Sequence, residues 1–200
     1  MDIQVNDYVL EQREDGMYNA KSLLKQWVNK TGKNTYMYAY LERDKTKALV
    51  QGLSGTVIIR DVIKKTGRPT IVEWFNSVLF VDFVSWFMPA FDYEAISKTI
   101  YKRMFLQDSI CSNIEELKTI MLECEGYEEA KLVKWLNYTI IGKTSKTLSV
   151  TDMDNITLEK FNSVLNGLLL MVKIGMINSF DSFGNTLKVF HEKIDSQFYK

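Results

Sequence analysis

The 200-residue chain contains one histidine, two cysteines and two prolines, and each scarcity removes a class of chemistry. His191 lies far along the chain from both cysteines, so neither a Ser/His/Asp nor a Cys/His arrangement has an obvious base. Cys111 and Cys124 stand thirteen residues apart with no CxxC spacing. Zinc needs about four Cys, His or carboxylate ligands at close spacings, so no metal site is expected. Reduced thiols, buried or half-buried in helical sequence, are expected instead, in apolar or acidic surroundings that raise a thiol pKa. Gly52-Leu53-Ser54-Gly55 lacks the Lys-Ser/Thr of a phosphate-binding loop. Long hydrophobic runs are also missing. Val78–Val81 stops at Asp82, and the stretch 164–177 is broken by Asn166, Lys173 and glycines, so no segment reads as a membrane span. The opening MDIQVNDYVLEQRED is acidic and has no apolar core of a secretory signal. Glu115, Glu116, Glu123, Glu125, Glu128 and Glu129 read as a solvated helix face rather than as acid/base pairs. No catalytic residue, cofactor site or metal site is nominated, and the chain is expected not to be an enzyme.

Net charge is absent too: 25 basic residues balance 25 acidic ones. The distribution is uneven. Between Lys21 and Arg68 eleven Lys/Arg face only Glu42, Asp44 and Asp61, a local balance of +8, whereas from Ile71 onward thirteen face seventeen, a balance of −4. A basic segment inside a neutral chain is the electrostatic footprint of nucleic-acid binding, because phosphate neutralisation supplies most of the sequence-independent affinity. The plainer alternative is a solvated lysine-rich surface.

What is plentiful is apolar and aromatic sequence, 46% and 12% of the chain, enough for one good core or two small ones. Residues 3–12 alternate loosely through Val5, Tyr8, Val9 and Leu10, and Asp15-Gly16 is a strong hairpin signal with Met17–Asn19 as the return strand. Asn19 then caps a helix whose face is Leu23, Leu24, Trp27 and Val28 and which stops at Gly32. Beyond it, Tyr36, Tyr40 and Leu41 fall at helical spacing, predicting a second short helix with a basic surface. Gly52 and Gly55 bracket a turn; residues 56–62 read equally as a short strand or a helix start. Lys64 to Pro69 is a basic loop. From Ile71 the chain is apolar nearly all round, predicting one buried helix that ends at Pro89. Further helices are predicted over about 93–106, 114–124, 127–140, 157–176 and 182–198, with residues 107–113 as the domain boundary and 142–154 as an exposed loop. The expected fold is α+β: a hairpin-plus-helices domain over 1–107, then an all-α region over 108–200.

Two segments carry a family resemblance. Asp15-Gly16-Met17-Tyr18-Asn19-Ala20-Lys21-Ser22-Leu23-Leu24 resembles the opening of the KilA-N domain, where a glycine turn and a strand end lead into a helix. The stretch from Trp74 to Phe91 resembles its closing helix, and Trp86, Pro89 and Phe91 match the family's Trp-x-x-Pro-x-Phe ending position by position. Asn76-Ser77 stands where the family often has His-Pro, and Phe80 and Val84 where it favours small residues. The resemblance covers about residues 8–95. It implies an α+β DNA-binding module of phage and large-DNA-virus proteins, with helices and an adjacent loop or wing on DNA.

No contact residue carries over from the family, so the candidates are physical ones. Lys30, Lys33, Arg43, Lys45 and Lys47 would neutralise phosphates. Asn34, Thr35, Tyr36 and Tyr38 would add hydrogen bonds or base-edge contacts if the helix after Gly32 enters a groove. Lys64, Lys65 and Arg68 would reach the backbone as a wing does. Tyr36, Tyr38 and Tyr40 could stack on unpaired bases, though core packing is the commoner use of such tyrosines; Trp27, Trp74, Trp86 and Trp135 read as core. The C-terminal helices, with Trp135, Leu136, Leu165, Leu168, Leu169, Phe180, Phe183 and Phe190, suit self-association or a viral protein partner. The partner expected is duplex DNA, with no membrane partner, and the location a bacterial host's cytoplasm or a virion, not a secreted one. The alternative is a virion structural or interaction component that keeps the fold without binding DNA.

Overall fold

The computed structural model describes residues 1–63, 69–142 and 149–198. The chain is α+β, with small antiparallel sheets in its N-terminal part and helices thereafter. It divides into two compact units, Met1–Met104 and Phe105–Lys200.

The first unit opens with β1 (Asp2–Val5) and β2 (Tyr8–Glu11), paired antiparallel with Ile3 opposite Leu10. The predicted single strand over 3–12 is therefore a hairpin. Its turn is Asn6-Asp7, and Asn6 adopts φ 51°, a left-handed conformation that asparagine tolerates better than most residues. The chain reverses again at Asp15-Gly16, bridging Gln12 to Tyr18. Strand β3 (Tyr18–Asn19) then joins a second sheet of order β3-β5-β4, with β4 at Ile58–Ile63 and β5 at Thr70–Phe75. The choice left open for residues 56–62 falls to the strand.

Helix α1 (Ala20–Thr31) starts and stops where its caps require. The Asn19 side chain accepts from the Ser22 amide, and Gly32 closes the helix at φ 69°. Two polar clamps seat α1 on β2. The Gln26 amide exchanges both hydrogen bonds with the Val9 backbone at 2.8 Å. Glu11 accepts from Asn19 Nδ2 and Ser22 Oγ, each at 2.6 Å.

The buried helix predicted from Ile71 is in fact a strand followed by a helix. Residues 70–75 pair with both β3 and β4, and α4 (Ser77–Phe87) begins only after Asn76, whose side chain accepts from the Leu79 amide. Thr70, Ile71 and Val72 are β-branched and favour the pleated conformation; the Asn76 cap then sets the helix start. Leu79, Phe80, Val81, Phe83 and Val84 are all buried. Phe83 lies against Tyr40, Phe75, Trp86 and Phe87, and Phe80 stacks on Tyr18 at 4.9 Å. Trp27 is core, while Trp74, Trp86 and Trp135 are half-buried.

A second correction concerns residues 107–113, expected to interrupt the helices. Helix α5 runs unbroken from Ala90 to Met121. Gln107 to Asn113 is polar but holds neither glycine nor proline, so nothing there breaks a helix. Ile110 is buried and Cys111 is exposed. Cys111 is thus not the covered thiol expected, because its position points away from the face of Ile110, Ile114 and Leu117. Cys124 is half-buried, and both cysteines are free. Partial burial, with Asp108 and Glu115 nearby, pushes the Cys111 thiol up.

The second unit contains α6 (Glu129–Ile141), a turn of 3-10 helix (Val150–Asp152), α7 (Asn155–Lys173) and α8 (Phe180–Phe198). Its core joins Leu136, Leu165, Leu168, Leu169, Phe180 and Phe183, with Trp135 and Phe190 packed at the margin. Lys118 reaches both Glu115 and Glu129 at 2.8 Å, tying α5 to α6, and the two carboxylates hold its ammonium well above the usual lysine range. Among the described residues no helix is long and apolar enough to cross a membrane.

Candidate nucleic-acid interface

The basic segment begins on α1, which carries Lys21, Lys25 and Lys30 and no acidic residue. Lys21 and Lys25 are one turn apart and exposed; Lys21 Nζ donates to the Ile71 carbonyl at 2.6 Å, linking helix to sheet. Lys25 has no ion pair among the described residues. Lys30, in the last turn, pairs with Asp7 at 2.7 Å and sits 4.8 Å from the Tyr8 ring centre. Its hydrogen bond with Asp7 raises the ammonium pKa and lowers that of the carboxylate.

After Gly32 the chain does not re-enter a helix at once. Lys33 and Asn34 are exposed and Thr35 half-buried in an irregular segment, Tyr36 is extended at φ −131°, and α2 covers only Met37–Leu41. A second short helix, α3, follows at Asp44–Gly52. The predicted face of Tyr36, Tyr40 and Leu41 therefore splits: Tyr40 is buried, while Tyr36 and Tyr38 are 57% and 68% exposed. Tyr36 precedes the helix, so helical spacing does not govern it. The two exposed rings stack on each other, centres 5.8 Å apart and planes 24° apart.

Tyr40 anchors the segment to α4. Its hydroxyl donates to Asp82 Oδ2 at 2.9 Å, and burial, followed by this hydrogen bond and the Asp82 charge, holds its pKa well above the ordinary phenol range. The same carboxylate lies 3.8 Å from Lys45 Nζ. The Arg43 guanidinium stands 5.9 Å from the Tyr40 ring centre and 6.0 Å from that of Trp86. Lys47 pairs with Glu42 at 2.7 Å.

Of the predicted contacts, the fold thus brings Arg43 and Lys45 together over Tyr40, Asp82 and Trp86, and brings Tyr36 together with Tyr38. Lys30 belongs to a different locality, at the β1–β2 turn. Lys64, Lys65 and Arg68 lie outside the described residues, between β4 and β5. Asp82 and Trp86 were not nominated from sequence, because both sit in what reads as an apolar core helix. The spacing Arg43, Lys45 and Lys47 gives no hint that Asp82, thirty-seven residues beyond Lys45, would face them. Among the described residues no group of three His, Cys, Asp or Glu side chains is placed to hold a metal ion.

No protein-family model matches the chain, and no curated protein does either.

Proposed function

We propose that the first unit is a KilA-N-like DNA-binding module of a phage- or virus-derived protein, and that it acts without catalysis. The observation that carries this reading is the pair Lys33 and Arg43, which flank α2 and have no carboxylate partner among the described residues. They lie within a segment of eleven cations and three acids. Two features add support. The glycine turn, strand end and capped α1 stand at the first segment on which the resemblance rests. At the second, Asn76 starts α4 by side-chain capping where the family often uses His-Pro. Lys47 is available as well, because its exposed ion pair with Glu42 is worth about 0–1 kcal/mol and exchanges readily for phosphate, and the Lys45 ammonium is exposed and only loosely held, 3.8 Å from Asp82. The helical second unit serves self-association or partner contact in this reading, with Leu170, Ile174 and Met176 exposed.

One observation favours the alternative of an interaction component that does not bind DNA: Lys30, Lys45 and Lys47 already face Asp7, Asp82 and Glu42. A salt titration of duplex binding separates the two. Wild type is compared with a Lys33/Arg43/Lys45/Lys47→Ala variant whose fold is verified by circular dichroism. DNA binding predicts a steep salt slope that shrinks by about 0.9 for each phosphate contact removed. No binding by wild type at low salt refutes it.

A further inference from the structure

Tyrosine rings on a protein surface are normally spread against a neighbouring apolar side chain or turned inward, as Tyr40 is here. Tyr36 and Tyr38 do neither. They stack only on each other, more than half exposed, and among the described residues no third ring and no cation lies against them. Tyr36 is fixed by extended backbone at the helix start and Tyr38 by the first turn of α2. The backbone around them is held in turn: the Tyr36 carbonyl accepts from the Ala39 amide at 3.0 Å, that of Tyr38 from the Glu42 amide at 2.9 Å, and Tyr40 locks α2 to α4. The stack is therefore a preset platform with free ring surface. A cation stands near it in sequence on each side, Lys33 before and Arg43 after, neither in an ion pair among the described residues, while the intervening Glu42 is taken up by Lys47 at 2.7 Å.

We infer that Tyr36 and Tyr38 form a stacking platform for unpaired bases, so that the favoured ligand is single-stranded DNA or duplex carrying a single-stranded overhang. This rests on the DNA-binding reading above and narrows it. A ring face can stack on a base only where that base has left its duplex neighbours or stands at an end, whereas phosphate-directed lysines accept either form. Lys33 and Arg43, three residues before and five after the stack in sequence, would supply the phosphate contacts.

The test uses the full chain with three probes: oligodeoxythymidine, a blunt duplex of equal length, and an oligonucleotide of abasic sites that keeps the phosphates alone. Tyr36→Ala/Tyr38→Ala is compared with wild type and with Tyr36→Phe/Tyr38→Phe, which keeps the rings. Both positions are exposed, so circular dichroism should be unchanged. The expected result is a loss of roughly tenfold or more in affinity of the alanine variant for oligodeoxythymidine. The phenylalanine variant should retain affinity, and duplex and abasic binding should move little. Equal weakening on all three probes, or unchanged oligodeoxythymidine binding, overturns the platform while leaving salt-dependent duplex binding, and with it the DNA reading, intact. No binding of wild type to any probe overturns both.

Discussion

Gly184 on α8 offers a prediction whose sign depends on geometry. Replacing a glycine inside a helix with alanine ordinarily stabilises by about 0.8–1 kcal/mol. Here a Cβ at position 184 would stand 2.8 Å and 2.9 Å from two carbons of the Trp135 indole, against about 3.5–4.0 Å for a relaxed carbon contact. The ring must retreat by most of an ångström. It is held by stacking on Phe180 at 4.8 Å and by the Lys131 ammonium 5.4 Å from its centre. Overpacking of this sort costs about 1–3 kcal/mol, so Gly184→Ala should destabilise by about 1 kcal/mol net. In a Trp135→Leu background the obstruction is gone and the same substitution should stabilise by about 1 kcal/mol. Urea denaturation followed by far-UV circular dichroism on the four proteins of the cycle reads both effects. An open cleft of about 250 Å³ beside the ring, lined by Asp181, Asn185 and Lys188, gives the indole an escape route. If Gly184→Ala stabilises the wild type, or has one effect in both backgrounds, the ring yields into that cleft and the reasoning fails.

Asn76→Ala should cost about 1 kcal/mol through loss of the α4 cap, measured as a shift of the urea midpoint with unchanged slope. Phe83→Ala should cost about 3–5 kcal/mol, because its ring is fully buried among five others; a loss under 1 kcal/mol would mean that the cluster collapses around the gap. Stability should also fall in alkali. Burial pushes the Tyr18 phenol up to about 12, with Arg103 pulling the other way, and Tyr40 is raised too. Above pH ~10 the unfolded chain loses phenolic protons that the folded one keeps, so each tyrosine subtracts about 1.4 kcal/mol per pH unit until its folded pKa is reached. Below pH ~10 that contribution is fully present. Denaturation at a series of pH values between about 9 and 11 should give a shallower decline for Tyr18→Phe and for Tyr40→Phe than for wild type.

What could be read from sequence was local. Helix α1 was legible because both its ends are chemical signals on one residue each, Asn19 and Gly32, with the apolar face between them. The α+β class followed from the same stretch. Residues 70–75 were misread because a run apolar on every side has no period, so a strand and a helix look alike until Asn76 is weighed as a cap. Residues 107–113 mislead in the opposite sense: their polarity suggests a break, although only glycine or proline would supply one. At the candidate interface the cations were visible and their partners were not. Asp82 and Glu42 temper Lys45 and Lys47 through pairings that only folding makes. The three alternating tyrosines were indistinguishable by type, and one residue of offset in the start of α2 decides that Tyr40 goes inside while Tyr36 stays out.

The first unit also buries an arginine that no pattern announced. Arg103, 1% exposed, donates from Nε to the Gln12 side chain at 3.0 Å, which in turn donates to the Gly16 carbonyl at 3.1 Å. Gln12 and Arg103 are 91 residues apart. On a ribosome adding roughly 5–20 residues per second, the turn at Asp15-Gly16 emerges on the order of 5–20 s before the side chain that braces it. Strand β3 meanwhile waits for β5, its partner in the second sheet, with its backbone groups open to other chains. Completion of this unit is thus timed by translation: slowing synthesis between Gln12 and Arg103 lengthens its aggregation-prone interval, and a nascent chain stalled before α5 emerges should remain protease-sensitive throughout the residues before Ala90.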